Sequence, residues 1–410
     1  MDLVANMISI AKLLALVLLA AKIFRLVKGK RLLAAVFARS SAQAGVAPQT
    51  ATNPFALDFP LLKFTPYDTF TLGNAFEGIH VFGANGSGKT SGPCAGLIKA
   101  LMRAGAGFLV MTAKKGEYER FQQYAEETGR TKSLKRFAPE EPHRFNFMSY
   151  LAKVSSRGGV LTENIVATLI TIQETLERTG NSGDRDPFWK DTLMQGLRNS
   201  VDLCLIARPG QAISVQMLHE VMMTAPTSLA QIDDPAWQNT LCSQLFEEAL
   251  SRKDALDDRT RSDLKITAGY FTTEYPQLPA DTRGSILATL SAMTDIFLRG
   301  TMATLFGTDL NIVPEMMWFE GAIIVIDLSA KEFGKAGIAA QNLWRHIAED
   351  AIERRDITVN SRPVCVALDE SHLFADIAKL LSGTRRRDQR QGVDRGTPWG
   401  LATENLLSKF

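Results

Sequence analysis

The chain has 410 residues, 45% apolar and 22% charged, an ordinary globular composition with enough apolar residues to bury a sizeable core in two or three compact units. Its four cysteines (Cys94, Cys204, Cys242, Cys365) form no CxxC pair or metal-ligand spacing, and its five histidines are equally dispersed, which excludes a zinc site, a disulfide framework and a histidine-based nucleophile. The formal charge of +2 hides an asymmetry: residues 1 to 39 carry seven basic residues against Asp2 alone, so the remainder is mildly acidic and any contact with nucleic acid must come from local patches within it.

Residues 3 to 21 are mostly apolar, without interruption from Leu13 to Ala21, and are about as long as a bilayer span requires. Lys12 opposes insertion by roughly 2.5 to 3.5 kcal/mol at mid-bilayer, against about −0.3 to −0.6 kcal/mol from each Leu, Ile or Val. The balance is marginally favourable, and sliding the frame towards Phe24 lets Lys12 snorkel. A cleaved signal peptide carries its charge ahead of the apolar run, whereas Lys22, Arg25, Lys28, Lys30 and Arg31 follow it here. The expectation is an uncleaved membrane anchor with its basic flank over 1–40, everything after it being cytoplasmic. The alternative is a basic amphipathic helix lying on the surface, against which stands the scatter of its polar positions. Residues 41–60, rich in Ala, Ser, Pro and Thr, read as a linker.

A short apolar run, Gly78 to Phe82, then enters Gly83-Ala84-Asn85-Gly86-Ser87-Gly88-Lys89-Thr90, and residues 91 to 102 continue as a predicted helix. Strand, glycine-rich loop and helix are the setting of a phosphate-binding (Walker A) loop. The glycines let backbone N–H groups curl around phosphates, Lys89 reaches the outer phosphates, and the Thr90 hydroxyl ligates Mg²⁺. The expected cofactors are ATP and Mg²⁺. A further strand is predicted over Gly107 to Thr112. Between about 160 and 280 strand signals give way to helical patterns such as Asn164 to Glu177 and Pro187 to Ala207, which predicts an all-helical insertion.

Two later apolar runs close on an acid, Ala322 to Asp327 and Val364 to Glu370. Holding Mg²⁺ and activating a water calls for carboxylates at the end of a buried strand, and only the second run supplies two in succession. Asp369 is therefore assigned to Mg²⁺ through its water and Glu370 to general-base catalysis (Walker B), with Asp327 capping a neighbouring core strand. At least four apolar runs alternating with helices predict an α/β sheet with helices on both faces and its ligand at the strands' carboxyl ends.

The order of features from roughly 60 to 380 resembles the type IV secretion coupling proteins, the TraG/TraD-like ATPases of bacterial conjugation. GIHVFGANGSGKTSG is followed by TAKKGEYERF (112–121), similar to that family's lysine-glycine-glutamate turn, and by RFNFMSY (144–150). DPFWKDTLMQGL (186–197) resembles the start of its helical domain, RGSILATLSAMTDIF (283–297) its return helix, and LDESHLF (368–374) its acidic motif. The resemblance implies a P-loop NTPase (RecA-like) fold with 61–160 and 281–410 forming a discontinuous ATPase domain, 161–280 an all-helical inserted domain, and an N-terminal membrane helix. It further implies an ATPase of the bacterial inner membrane, a homo-oligomer of hexameric type, that drives DNA, single-stranded and with or without an attached relaxase, towards a type IV secretion channel. A protein substrate is the alternative cargo. Arg385, Arg386 and Arg387 lie where a basic residue would complete a neighbouring subunit's site or meet DNA phosphate; an exposed solvated run is their plain reading.

The chain departs from the family in three places. Ala113 stands where an acid often precedes the lysine-glycine-glutamate turn, one membrane helix is offered where two are common, and Glu404 replaces the phosphate-sensing glutamine of the late Thr-Gln-Asn strand. These departures keep open a second reading, a nucleotide-binding docking module that recruits DNA or protein without productive turnover.

Overall fold

The computed structural model describes residues 53–83, 87–155, 161–178, 187–369 and 399–405. The predicted anchor and basic flank lie outside the described residues, as do Ala84, Asn85, Gly86, Glu370 and Arg385 to Arg387. No helix among the described residues is long and apolar enough to cross a membrane.

A small antiparallel hairpin, β1 (Pro60–Lys63) and β2 (Thr69–Thr71), comes first. Six strands then form one parallel sheet: β3 (Ile79–Gly83), β4 (Gly107–Met111), β5 (Leu134–Phe137), β6 (Ile323–Ile326), β7 (Val364–Leu368) and β8 (Trp399–Asn405). Their spatial order is β3-β8-β7-β4-β6-β5. A central parallel strand is buried on both faces, which is why β4, β6 and β7 read as unbroken apolar runs. Their side chains still alternate. Leu109, Met111, Ile324, Ile326, Val364, Val366 and Leu368 enter one core, and Phe108, Val110, Ile323, Val325, Cys365 and Ala367 enter the other.

Helices cover both faces. On the second, α1 (Ala95–Arg103) and α2 (Glu117–Glu127) bring Leu97, Ile98, Leu101, Phe121 and Tyr124 onto the sheet. Between β5 and β6 come α3 (Phe147–Ser155), α4 (Leu161–Arg178), α5 (Pro187–Ala207), α6 (Val215–Met223), α7 (Leu241–Ser251), α8 (Asp258–Gly269), α9 (Ala280–Leu298) and α10 (Gly300–Gly307), with no strand among the described residues apart from one isolated bridge, Phe145 to Leu310. This helical run is longer at both ends than 161–280. It shares its core with the first face of the sheet, where α11 (Ala330–Arg354) also packs. Trp344 of α11, fully buried, stacks on Phe145 at 3.9 Å and meets Phe137 of β5 edge-on at 5.4 Å. All four cysteines are buried and none is in a disulfide.

The carboxyl ends of β4 and β6 are tied to α11 by one buried amide. Gln341 Oε1 accepts the Thr112 N–H (2.6 Å), and its Nε2 donates to the carbonyls of Thr112 and Leu328 (2.9 Å each). From β4 the chain moves towards β5, whereas β8 lies on the opposite side of β7. Neighbouring strands whose connections diverge leave a crevice at their carboxyl ends, and in open α/β sheets ligands bind in such a crevice.

Candidate nucleotide site

The site begins where β3 ends. Gly88 has φ +80°, a left-handed conformation that a side chain would strain. Gly83 meets a different constraint: a Cβ there would lie 2.6 Å from Ser87 Oγ and 2.9 Å from Lys89 Cγ. That closeness reflects the path of Lys89, whose ammonium folds back and donates to the Gly83 carbonyl at 2.7 Å. The lysine charge is thus held at the mouth of the loop. Ser87 and Gly88 are exposed, while Lys89 and Thr90 are half-buried.

The helix that follows starts with a widened turn. Pro93 has no N–H to give, and the Cys94 N–H reaches back five residues to the Lys89 carbonyl (3.2 Å). This turn sets Thr90 facing the crevice between β4 and β7. There Thr90, Asp369, Glu117 and Arg120 line one cleft of about 30 Å³, room for one or two waters.

Asp369 follows the last residue of β7, half-buried, with Arg120 of α2 at 3.6 Å. Glu117, at the start of α2, is only 3% exposed. Its Oε2 accepts the backbone N–H of Ala113 at 2.7 Å and, at longer range, that of Lys114 at 3.4 Å. Burial above all, and the Asp369 carboxylate beside it, push the Glu117 carboxyl up to about 7. Burial likewise raises the Cys94 thiol to about 11, which keeps it protonated and inert. The sequence flagged the turn at 112–121 as a resemblance and assigned neither Glu117 nor Arg120 a role; an acid and a base spaced i, i+3 at a helix start was the available signal.

The two candidate acids are distinguished by strand order. With neighbouring strands roughly 4.8 Å apart, β7 lies about 10 Å from β3 and β6 about 19 Å away. Asp327, after β6, is moreover engaged by Arg136 of β5, whose Nε and second guanidinium nitrogen lie 2.8 and 2.6 Å from its Oδ2. Burial raises the Asp327 carboxyl and Arg136 opposes that rise. Arg136 also sits over the Tyr118 ring at 4.6 Å. Glu404 is placed by its backbone on β8, opposite Phe82 and one position before the Gly83–Asn405 pair.

No cluster of three His, Cys, Asp or Glu side chains suited to a metal occurs among the described residues. Mg²⁺ does not require one, since it keeps several waters and takes one or two carboxylates plus substrate phosphates. A hydroxyl and a carboxylate sharing one cleft, Thr90 and Asp369, supply the hard oxygen donors that suit it.

No protein-family model and no curated protein matches the sequence. Among solved structures, the chain is similar to the bacterial conjugative coupling protein TrwBdeltaN70 in its unbound monoclinic form, with 14% identity and a TM-score of 0.48, covering 82% of this chain and 64% of that one. It is also similar to the plasmid coupling protein TrwB in complex with ADP and Mg²⁺ and in complex with a non-hydrolysable ATP analogue, each at 13% identity and TM-score 0.49, with 82% of this chain and 65% of that one covered. The chain therefore spans under two thirds of the length of these structures.

Proposed function

We propose that this chain is a membrane-anchored ATPase that couples ATP hydrolysis to delivery of DNA, alone or joined to a protein, to a type IV secretion channel. One observation supports the nucleotide part above all others: Lys89 anchored on Gly83 at 2.7 Å, with Thr90 and Asp369 lining one cleft at the strands' carboxyl ends. In this reading Lys89 neutralises the outer phosphates, and Thr90 and Asp369 hold Mg²⁺, whose charge offsets that of the phosphates. Glu370 orients and deprotonates the attacking water. The inner-membrane anchor is supported by the apolar run and basic flank of residues 1–40, and the hexameric ring, the DNA cargo and 161–280 as an all-helical inserted domain by the resemblance in motif order; all belong to the proposal.

The test is steady-state ATPase activity of the full chain with and without single-stranded DNA. The proposal expects turnover that DNA stimulates and that Lys89→Ala or Glu370→Gln abolishes. A second reading, the docking module without turnover, is favoured by Glu404 on β8, an acid one pair from Gly83 where an uncharged sensor would lie. Tight ATP binding with no turnover in either condition supports that reading instead. Deleting residues 1 to 30 should release the protein to the soluble fraction; unchanged fractionation would sink the anchor.

A further inference from the structure

Glu117 has two carboxylate oxygens in different surroundings. Oε2 is engaged by the Ala113 and Lys114 amides, which pins the turn leaving β4. Oε1 is buried and meets no hydrogen-bond donor among the described residues. The carboxyl shares its cleft with Thr90 and Asp369, and Asp369 has no donor to offer it as a carboxylate. As a carboxylate, a buried acceptor with room for water beside it and no donor among the described residues is costly and is suited by a ligand that brings O–H groups. Two adjacent carboxyls, with the Arg120 guanidinium 3.6 Å from Asp369, further favour a cation over a neutral molecule.

We propose that Glu117 is a second carboxylate of the Mg²⁺ site, a positioning residue whose Oε1 accepts a hydrogen bond from a water on the ion, beside Thr90, which would ligate the ion, and Asp369, which would bind it through its water. The inference rests on the nucleotide-site reading above and extends it to the β4–α2 turn. Because Oε2 of the same side chain fixes the Ala113 amide, ion binding and the conformation of residues 113 to 116 become linked through one carboxylate. Partners of this kind around a metal are worth roughly 10- to 100-fold in its affinity when lost.

The experiment is ATP binding to the full chain, followed calorimetrically across a series of free Mg²⁺ concentrations and again in EDTA. Glu117→Gln leaves one acceptor oxygen, which the Ala113 N–H retains, and puts an NH₂ donor where Oε1 stood. The expected result is a rise of about 10-fold or more in the Mg²⁺ concentration for half-maximal enhancement of ATP binding, with EDTA affinity within about twofold of the parent. Glu117→Asp, which keeps the charge, should shift it less. A purely structural Glu117 predicts the same Mg²⁺ dependence for Glu117→Gln and the parent, and that result overturns the inference while leaving the nucleotide site intact. If the parent binds no ATP in either condition, or Lys89→Ala binds as well as the parent, the nucleotide-site reading falls and the inference with it.

Discussion

Gly83 and Glu117 carry the sharpest consequences of single side chains. At Gly83 a methyl would press on the Lys89 stem at 2.9 Å and on Ser87 at 2.6 Å. Gly83→Ala should therefore displace the lysine and weaken ATP binding by about 10-fold or more, a loss of roughly 1.4 kcal/mol, with little change in melting temperature, as calorimetry and thermal denaturation will check. For Glu117 the direction with pH follows from burial. Its carboxyl sits at about 7 rather than 4.5, so between those values the folded chain holds a proton that the unfolded chain has released. Stability of the nucleotide-free protein should fall as pH rises through that window, by at most about 3 kcal/mol, and Glu117→Gln should remove that part of the slope. Urea titrations at pH 5 and pH 8 make the comparison. The sequence motif singled out Asp369 because a second acid follows it; the structure adds a different reason, the nearness of β7 to the loop strand. Glu117 was legible only as an acid spaced i, i+3 from Arg120 at a helix start; its burial beside Asp369, a residue far along the chain, leaves no local pattern.

The strands were legible to the degree that they are buried. β4, β6 and β7 are apolar on both faces and stand out as continuous runs. β5, Leu-Lys-Arg-Phe at the sheet's edge, was not read as a strand, because Lys135 and Arg136 reach ion-pair partners instead of a core. The β1–β2 hairpin is too short for periodicity to declare itself. In the first turn after the loop the sequence predicted helix from residue 91, whereas Pro93 widens that turn before regular α-helix begins at Ala95. Gln341 is another element-scale surprise, a polar residue in the buried stripe of α11 that serves the backbone of β4. Gln341→Leu should leave the Thr112 N–H and two carbonyls without their present partner. At about 1 to 3 kcal/mol for a buried unsatisfied group, partly relieved by relaxation, we expect a loss of about 3 kcal/mol in urea denaturation.

At the scale of the molecule, the helical run between β5 and β6 is not insulated from the sheet. Phe145, Phe147, Phe297, Phe306 and Trp344 meet in one aromatic cluster spanning both. Trp344→Ala should cost about 3 to 5 kcal/mol and lower the sheet and the helical region together. Far-ultraviolet dichroism and tryptophan fluorescence should trace one coincident unfolding transition, and two separated transitions would show that the shared core does not couple them. The general α/β plan with helices on both faces was legible because alternating apolar runs and helices admit few other layer arrangements. The continuity of the core was hidden, since contacts between helices distant in sequence leave no periodic mark.

The position of β8 bears on how the molecule is made. Residues 399–405 form the strand that separates the loop strand from β7, which Asp369 follows, yet the ribosome delivers them after both. A nascent chain that has emerged only as far as Asp369 holds the lysine, the threonine and the acid without the strand that sets their spacing. Because chains fold from the amino end as they emerge, the spacing of these residues is set late in synthesis, by insertion of one strand into a gap already flanked on both sides.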